Sequence, residues 1–167
     1  MANDSGKDTS PGQRAAGAAN LGAVRPPLVY LCSIGLGLLV HWFWPVHVLP
    51  ASISLPISVL LVVVAITLFT SSVRTLGKAG TPVPGNLPTT IIVRAGPYGF
   101  SRNPIYLAFT LFQLGIAAWV NSLGVLVTLA PAFALMMLVV VPREERYLEA
   151  RFPSEYLPYK RDVRRWL

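Results

Sequence analysis

The chain has 167 residues, of which 53% are hydrophobic and 13% are charged. An ordinary soluble domain carries about 25% charged residues, so this composition excludes a small water-soluble globule and predicts a membrane protein. The formal net charge is +7, which in an apolar chain predicts contacts with membrane lipid headgroups and no nucleic-acid partner.

The first part of the chain is polar and rich in small residues. Residues 1–26 contain many Gly, Ala, Ser and Asn and lack the apolar core of a cleavable signal peptide. They predict a disordered N-terminal tail in the cytosol. Residues 27–167 are expected to form one domain within the membrane, since the sequence shows no internal repeat.

Four apolar segments follow, each close to the roughly 20 residues that one membrane crossing needs. Asn121, Ser122 and Gly124 supply the turn that divides the long uncharged stretch between the third and fourth segments. The predicted fold class is all-α, a polytopic protein with four transmembrane helices in two hairpins, a cytosolic connector and a cytosolic helical C-terminal tail, 142–167. The predicted spans are 28–48, 54–73, 104–120 and 123–141.

The positions of the cations predict the orientation. Of the 14 Lys and Arg residues, three precede Leu28, four lie between Arg74 and Arg102, and seven follow Val141. Four crossings with both termini in the cytosol place every cation on one side, as the positive-inside rule prefers. The expected location is an inner or plasma membrane if the host is a bacterium.

The connector before the third span ends in a turn and a cation. Residues 96–106 read Gly-Pro-Tyr-Gly-Phe-Ser-Arg-Asn-Pro-Ile-Tyr. Asn103 is expected to cap the third helix with its side chain and Pro104 to occupy its first position. Because the start of a helix attracts negative charge, this end together with Arg102 predicts a site for an anionic group.

Carboxylates and tyrosines follow the fourth span. Glu144 and Glu145 lie just past the apolar segment in a chain with only seven acidic residues, and Tyr156 and Tyr159 follow. The two tyrosines are expected to close a pocket as a lid, held down by the apolar Phe152 and Leu157. The run 163–166 suggests an interfacial clamp, with basic residues for headgroups and an aromatic ring for the membrane boundary.

Together these two segments resemble a family of membrane methyltransferases that contains isoprenylcysteine carboxyl methyltransferase and the phospholipid methyltransferases. The signature of that family is roughly Gly-Pro-(Tyr/Phe), then Arg-(His/Asn)-Pro-x-Tyr, then Glu-Glu, Phe and Tyr-x-x-Tyr. The match runs from about Gly80 to Trp166, half of the chain. Asn103 stands where many relatives carry histidine, which leaves an acid-base role for this position in doubt.

The resemblance implies S-adenosylmethionine as methyl donor, bound between the connector and the tail. Arg102, Glu144 and Glu145 are the expected catalytic residues, with Arg102 at the amino-acid end of the donor and a glutamate at its ribose or ammonium group or paired with Arg102. For Tyr98 and Tyr106, contact with the donor and interfacial anchoring stay open. The expected donor-binding residues are Gly96, Pro97, Tyr98, Arg102, Asn103, Pro104, Tyr106, Glu144, Glu145, Tyr156 and Tyr159.

The acceptor is expected to be lipidic or apolar, a lipophilic small molecule or a lipidated one. A carboxylate or thiolate acceptor needs no base, and both histidines, His41 and His47, fall on the far side of the membrane, so carboxyl or thiol acceptors are favoured. The alternatives are a phospholipid N-methyltransferase and a non-catalytic four-span scaffold. No metal site is expected, and the sequence leaves the oligomeric state open.

Glycines in the first span have a structural interpretation. No Gly-x-Gly-x-x-Gly follows a strand, which excludes a Rossmann cofactor site. Gly35 and Gly37 are expected to allow close packing between helices.

Overall fold

The computed structural model describes residues 25–83 and 89–167, and the ordered elements in these ranges are helices. A π-helical turn, Met136–Val140, joins the fourth and fifth helices, and a short 3₁₀ helix, Gly96–Gly99, precedes the third. This confirms the all-α prediction; the predicted N-terminal tail lies outside the described residues except for its last two. The helices are α1 (Pro26–Phe43), α2 (Ala51–Lys78), α3 (Pro104–Trp119), α4 (Leu123–Leu135), α5 (Val141–Arg151) and α6 (Pro153–Asp162).

Three helical runs are long and apolar enough to cross a membrane: Pro26–Phe43, Ala51–Lys78 and Leu123–Arg151. The last of these is the continuous run of α4, the π-helical turn and α5, and its charged residues begin only at Arg143. The chain is therefore a membrane protein. α3 is apolar but has only 16 residues, so the complete four-span topology stays a prediction.

The helix bounds differ from the predicted spans at two places. α1 ends at Phe43, and residues 44–50 form a loop instead of continuing the first span. Pro45 explains this end, because a proline disfavours the helical conformation of the residue before it and cannot donate a backbone hydrogen bond. α2 is longer than predicted and carries Arg74 and Lys78 in its last turns.

The helices do not pack in the order of the chain. α3 lies in the middle, packed along α2 and against α4, while α1 packs mainly on α4. The second predicted hairpin, α3 with α4, is thus a packed unit. The first is not, because α1 and α2 each make their main contacts with a helix of the other pair.

The turn between α3 and α4 agrees with the sequence prediction at Asn121 and Ser122, whereas Gly124 lies inside α4, where it packs against Gly37 of α1. Asn121 has a positive φ of 52°, a conformation that asparagine tolerates better than most residues. Its Oδ1 accepts hydrogen bonds from the backbone N–H groups of Val48 and Leu49, at 2.9 and 2.8 Å. Ser122 caps α4 by accepting a bond from the N–H of Val125. The same turn therefore also holds the loop between α1 and α2.

A buried polar cluster joins three helices and has no counterpart in the sequence prediction. Gln113 of α3 is fully buried and donates through Nε2 to Ser33 Oγ at 2.7 Å and to the carbonyl of Val125 at 3.2 Å. Ser33 of α1 in turn donates to the carbonyl of Thr128 at 2.8 Å. Because buried polar groups are costly without partners, these bonds fix α1, α3 and α4 in one register.

Close approach of α1 to α4 depends on one glycine of the pair in α1. A Cβ at Gly37 would lie 2.5 Å from Val125 Cα, whereas a Cβ at Gly35 would meet nothing within 4 Å. The close-packing prediction is confirmed for Gly37 and wrong for Gly35.

We expect Gly37→Ala to lower the free energy of unfolding by about 2 kcal/mol, because the backbones of α1 and α4 must separate. Gly35→Ala, on the same helix and in open space, is the matched control and should change stability by less than about 0.5 kcal/mol in detergent. Unfolding followed by circular dichroism measures both. Equal unfolding midpoints for the two variants would contradict the packing argument.

Candidate active site

The site lies where the connector, α5 and α6 meet at one end of the helix bundle. Gly96 opens the 3₁₀ turn with a φ of +56°, and a Cβ there would lie 3.0 Å from Thr75 Oγ1. Pro97 is buried behind it. These two residues, predicted to contact the donor, lie in the turn that presents Tyr98 and are not among the lining residues of the two spaces described below.

An open cleft with about 520 Å³ of empty space runs between the connector, α5 and α6. Its apolar lining consists of Leu76, Ile91, Ile92, Val93 and Leu148. Its polar and aromatic lining consists of Thr89, Tyr98, Arg102, Asn103, Glu144, Glu145, Tyr156 and Tyr159.

A smaller chamber of about 250 Å³ adjoins the cleft and shares part of its lining. Pro104 and Tyr106 at the start of α3 line it, together with Glu144 of α5. Nine of the eleven predicted donor-binding residues therefore line one of these two connected spaces. Residues forty positions apart in the sequence share one small volume.

Three charged side chains form an ion cluster at the floor of the cleft. Arg102 Nη1 lies 2.9 Å from Glu145 Oε1, and both side chains are less than 10% exposed. Arg165 donates to the same carboxylate through two nitrogens, Nε to Oε1 at 3.0 Å and Nη2 to Oε2 at 2.6 Å. One carboxylate is thus shared by two guanidinium groups, which leaves local positive charge for an anionic ligand.

Two buried donors at this place have no partner among the described residues. Arg102 Nε and the hydroxyl oxygen of Tyr98 make no hydrogen bond, although neither atom is accessible to solvent. Both side chains line the cleft and the chamber. Since buried donors are ordinarily satisfied, two such atoms on residues that line the same spaces indicate a ligand that accepts hydrogen bonds, such as a carboxylate.

Glu144 is separate from the ion cluster. Tyr106 donates its hydroxyl hydrogen to Glu144 Oε2 at 2.9 Å. Glu144 lies on α5, beyond the last apolar residue of the run from α4. Burial of the carboxyl group, more than the opposing bond from Tyr106, raises its pKa from 4.5 to about 7. Glu144 therefore changes charge near neutral pH, and it is positioned to accept a cation or a proton.

The start of α3 differs in one respect from the prediction. Pro104 occupies the first helical position as expected, but Asn103 makes no capping bond with its side chain. Its Nδ2 donates instead to the carbonyl of Arg165 at 3.0 Å. The capping prediction was wrong: a cap needs the amide oxygen to accept from a backbone N–H of α3, but the side chain is held through its nitrogen by the segment that returns after α6.

The two tyrosines of α6 form a wall. Tyr156 is 1% exposed and accepts a hydrogen bond from Arg102 Nη1 at 3.3 Å, and burial raises the pKa of its phenol to about 12. Tyr159 is equally buried and donates to the carbonyl of Tyr98 at 2.9 Å. The lid expected from the sequence is not supported, because both rings are packed in the core, whereas Leu157, expected to hold them down, is 54% exposed.

Arg94 ties the connector to α6. Its Nη2 donates to the carbonyl of Glu155 at 2.7 Å, its Nη1 lies 3.8 Å from Asp162, and its guanidinium group lies 5.6 Å from the ring centre of Tyr159. Nothing in the sequence pattern singled out Arg94. These contacts hold the two walls of the cleft together.

The segment after α6, predicted to be an interfacial clamp, turns back towards the site. The carbonyl of Arg164 accepts a hydrogen bond from the N–H of Arg102 at 3.0 Å. The ring of Trp166 packs on the ring of Phe133, with 5.1 Å between the ring centres. Arg165 reaches Glu145, as described above. Sequence reasoning missed this role because an Arg-rich run beside a membrane usually contacts headgroups, and only the fold shows that the chain turns back.

Two other features lie away from the cleft. An apolar groove with about 460 Å³ of empty space lies between α2 and α3, lined by Ala65, Ile66, Phe69, Ala108, Phe109 and Phe112. At the opposite end of the bundle the rings of His41 and His47 meet at right angles, 5.9 Å apart. In the described ranges, no three His, Cys, Asp or Glu side chains are grouped to hold a metal ion.

The fold and the site together define a class of protein: a helical membrane protein with a charged cleft at one end of its helix bundle. Residues 53–155, more than half of the chain, match the family model described as phospholipid methyltransferase. The chain therefore belongs to the phospholipid methyltransferase family, as the motifs indicated.

Curated relatives share a shorter stretch with the chain. The cobalt-zinc-cadmium resistance protein CzcN of Cupriavidus metallidurans is 43% identical over 70 residues, 42% of this chain and 32% of that protein. The nickel-cobalt-cadmium resistance protein NccN of Alcaligenes xylosoxydans xylosoxydans is 36% identical over 66 residues, 40% of this chain and 31% of that protein. The match thus spans about a third of the length of either relative.

An uncharacterized protein of Haemophilus influenzae is 41% identical over 68 residues, which are 38% of this chain and all of that protein. No solved structure matches the chain at a significant level.

Proposed function

We propose that the chain is an integral-membrane methyltransferase that uses S-adenosylmethionine and transfers the methyl group to a lipidic or apolar acceptor. The observation that carries the proposal is the meeting of Arg102, Glu144 and the tyrosines around one cleft at the end of apolar helices. The residues expected to bind the donor lie on a connector and on two helices far apart in the sequence, which supports a shared ligand.

The chemistry of the lining fits this donor. Its carboxylate would be held in the smaller chamber by the two unpartnered donors, Arg102 Nε and the Tyr98 hydroxyl. The ammonium group would pair with the carboxylate of Glu144, which Tyr106 orients. The adenosine part would lie in the larger cleft against Ile92, Leu148 and the tyrosines of α6.

The donor supplies a methyl group on a positively charged sulfur, which the acceptor atom displaces as the electron pair of the carbon–sulfur bond passes to sulfur. The chain has to hold donor and acceptor in line and exclude water. The buried walls from α5 and α6 exclude water on one side. The apolar groove between α2 and α3 supports an acceptor with a hydrocarbon part that reaches the site from the bilayer.

We favour an acceptor that reacts as a carboxylate or thiolate, as in isoprenylcysteine carboxyl methyltransferase, because it needs no base. A second candidate is N-methylation of a phospholipid amine, which one observation favours: Glu144 lies at the chamber and ionises near neutral pH. An amine acceptor must lose a proton before or after attack, and Glu144 is placed to accept it.

The proposal is tested with purified protein, radiolabelled S-adenosylmethionine and a lipid extract of the host. We expect label in the lipid fraction, absent when Arg102 is replaced by alanine. Labelled ethanolamine headgroups would identify the amine reaction, and a base-labile labelled ester or a labelled thioether would identify the carboxyl or thiol reaction. A chain that neither transfers label nor binds the demethylated donor saturably would instead be a four-span scaffold.

Activity should depend on pH through Glu144. Its raised pKa means that the protonated form prevails below about pH 7 and the carboxylate above it. Both roles proposed for Glu144 need the carboxylate, so methyl transfer should rise about tenfold per pH unit below this value and level off above it.

Glu144→Gln should remove this rise, while Glu149→Gln, a carboxylate of the same helix that pairs with Lys160, should keep it. A rise in the KM for the donor at low pH would assign Glu144 to the ammonium group, and a fall in kcat alone would assign it to the acceptor. An unchanged pH profile in Glu144→Gln would rule out both roles.

The predicted orientation follows from the same site. We propose that both termini and the cleft face the cytosol, where the donor is made. Labelling of a cysteine introduced at exposed Lys160 in intact cells and in inverted vesicles tests this. Reaction in intact cells with a reagent that cannot cross the membrane would contradict it.

A further inference from the structure

The segment Val163–Leu167 returns to the site after α6 and is anchored there by its backbone. Arg102 N–H donates to the carbonyl of Arg164 at 3.0 Å, and Asn103 Nδ2 donates to the carbonyl of Arg165 at 3.0 Å. Trp166 packs on Phe133 beside these bonds. The segment is thus fixed on both sides of the residue whose side chain enters the ion cluster.

Arg165 determines how Glu145 is oriented. Its two nitrogens bind both carboxylate oxygens, at 3.0 and 2.6 Å, in the parallel arrangement that guanidinium and carboxylate groups prefer. The carboxylate is 7% exposed, so few other groups can hold it. The hydrogen bond with Glu145 also raises the pKa of Arg165, which keeps this side chain charged.

The orientation of Glu145 in turn decides what Arg102 can bind. Arg102 Nη1 is occupied by Glu145 Oε1 and by the hydroxyl group of Tyr156, while Nε has no partner among the described residues. Without Arg165, the carboxylate of Glu145 would neutralise Arg102 alone. It could then rotate and accept hydrogen bonds from both sides of the Arg102 guanidinium group, Nε included. The charge balance would change from two cations with one anion to one cation with one anion, and the attraction for an anionic ligand would fall.

We infer that Arg165 is a positioning residue for donor binding, which acts by holding Glu145 so that Arg102 stays available to the donor's carboxylate. This inference rests on the proposed function. It adds a residue outside the family motifs from which the site was predicted. Arg165 itself is not expected to touch the donor.

The test measures binding of the demethylated donor, S-adenosylhomocysteine, to purified protein in detergent by calorimetry. Arg165→Gln should weaken binding about tenfold or more, with a similar rise in the KM for S-adenosylmethionine and a smaller change in kcat. Arg165→Lys keeps the charge but not the paired hydrogen bonds. Its affinity for S-adenosylhomocysteine should therefore lie between those of the unchanged protein and Arg165→Gln. Arg164→Gln is the matched control, because the exposed neighbour contributes only its backbone carbonyl.

The outcomes separate the inference from the proposed function. If the unchanged protein binds neither S-adenosylmethionine nor S-adenosylhomocysteine, the inference and the proposed function both fail. If it binds and Arg165→Gln binds equally well, only the inference fails. If Arg165→Gln does not fold, Arg165→Lys decides: weaker binding at an unchanged unfolding midpoint supports the positioning role, and unchanged binding overturns it.

Discussion

Replacing Arg102 by alanine is expected to reduce methyl transfer by about a hundredfold or more, the largest loss from any single change in the site. The variant loses the guanidinium group that lies 2.9 Å from Glu145, and with it the unpartnered Nε of a residue that lines the cleft. Glu145 keeps its two bonds from Arg165, so the fold should survive. Transfer of labelled methyl groups, together with binding of S-adenosylhomocysteine, measures the effect.

Two further variants sharpen this experiment. Arg102→Lys retains a positive charge, but its single ammonium group cannot bind Glu145 and a ligand at the same time through different nitrogens. It should therefore be little more active than Arg102→Ala. Arg143→Ala removes an exposed arginine at the start of α5 and should leave activity within about twofold. If Arg102→Ala keeps full activity, Arg102 is a structural or headgroup-contacting cation and the donor lies elsewhere.

Replacing Glu145 by glutamine should affect both stability and binding. The amide keeps the shape of the carboxylate but removes the single negative charge between Arg102 and Arg165, so two guanidinium groups remain close together without an anion. We expect the free energy of unfolding to fall by about 2 to 4 kcal/mol, less than for a fully buried pair because Arg165 is 35% exposed. Denaturant unfolding in detergent, with tryptophan fluorescence, measures the change.

The matched control is again Glu149→Gln on the same helix. Glu149 pairs with Lys160 at the surface, and such exposed pairs contribute about 1 kcal/mol or less. A loss for Glu145→Gln no larger than for Glu149→Gln would mean that the buried cluster does not hold α5 to the connector. Weak donor binding in a stable Glu145→Gln variant would instead assign Glu145 to the ligand.

The fold class could be predicted because lipid constrains a sequence strongly. Uncharged stretches of about 20 residues have few alternatives to helices, since a buried backbone must satisfy its own hydrogen bonds. Pro104 and Asn121 likewise marked a helix start and a turn through local chemistry that no distant contact changes. The packing order of α1 and α2 could not be predicted in this way, because their lipid-facing and protein-facing residues are both apolar.

The sequence predicted most of the residues that line the candidate site, but it did not predict which of their side chains contact each other. Tyr98 and Arg102 were found because they belong to a motif that resembles that of a known family, and Glu144 also because adjacent carboxylates directly beside an apolar span are unusual. The sequence did not predict that the two glutamates have different partners. Glu145 is bound by two arginines, whereas Glu144 accepts a hydrogen bond from Tyr106. Asn103 and the tyrosines of α6 also have partners different from those expected, and each of those partners lies far away in the sequence.

By itself, the sequence determined that this chain is a helical membrane protein of the phospholipid methyltransferase family, and which residues meet the boundary of its apolar core. Only the tertiary structure decided that the segment after α6 returns to place Arg165 on Glu145 and that Gln113 joins three helices. The physical reason is that hydrophobicity and helix chemistry are local or periodic properties of a sequence. The partner of a buried charge or amide is instead set by which distant segments the fold brings within about 3 Å.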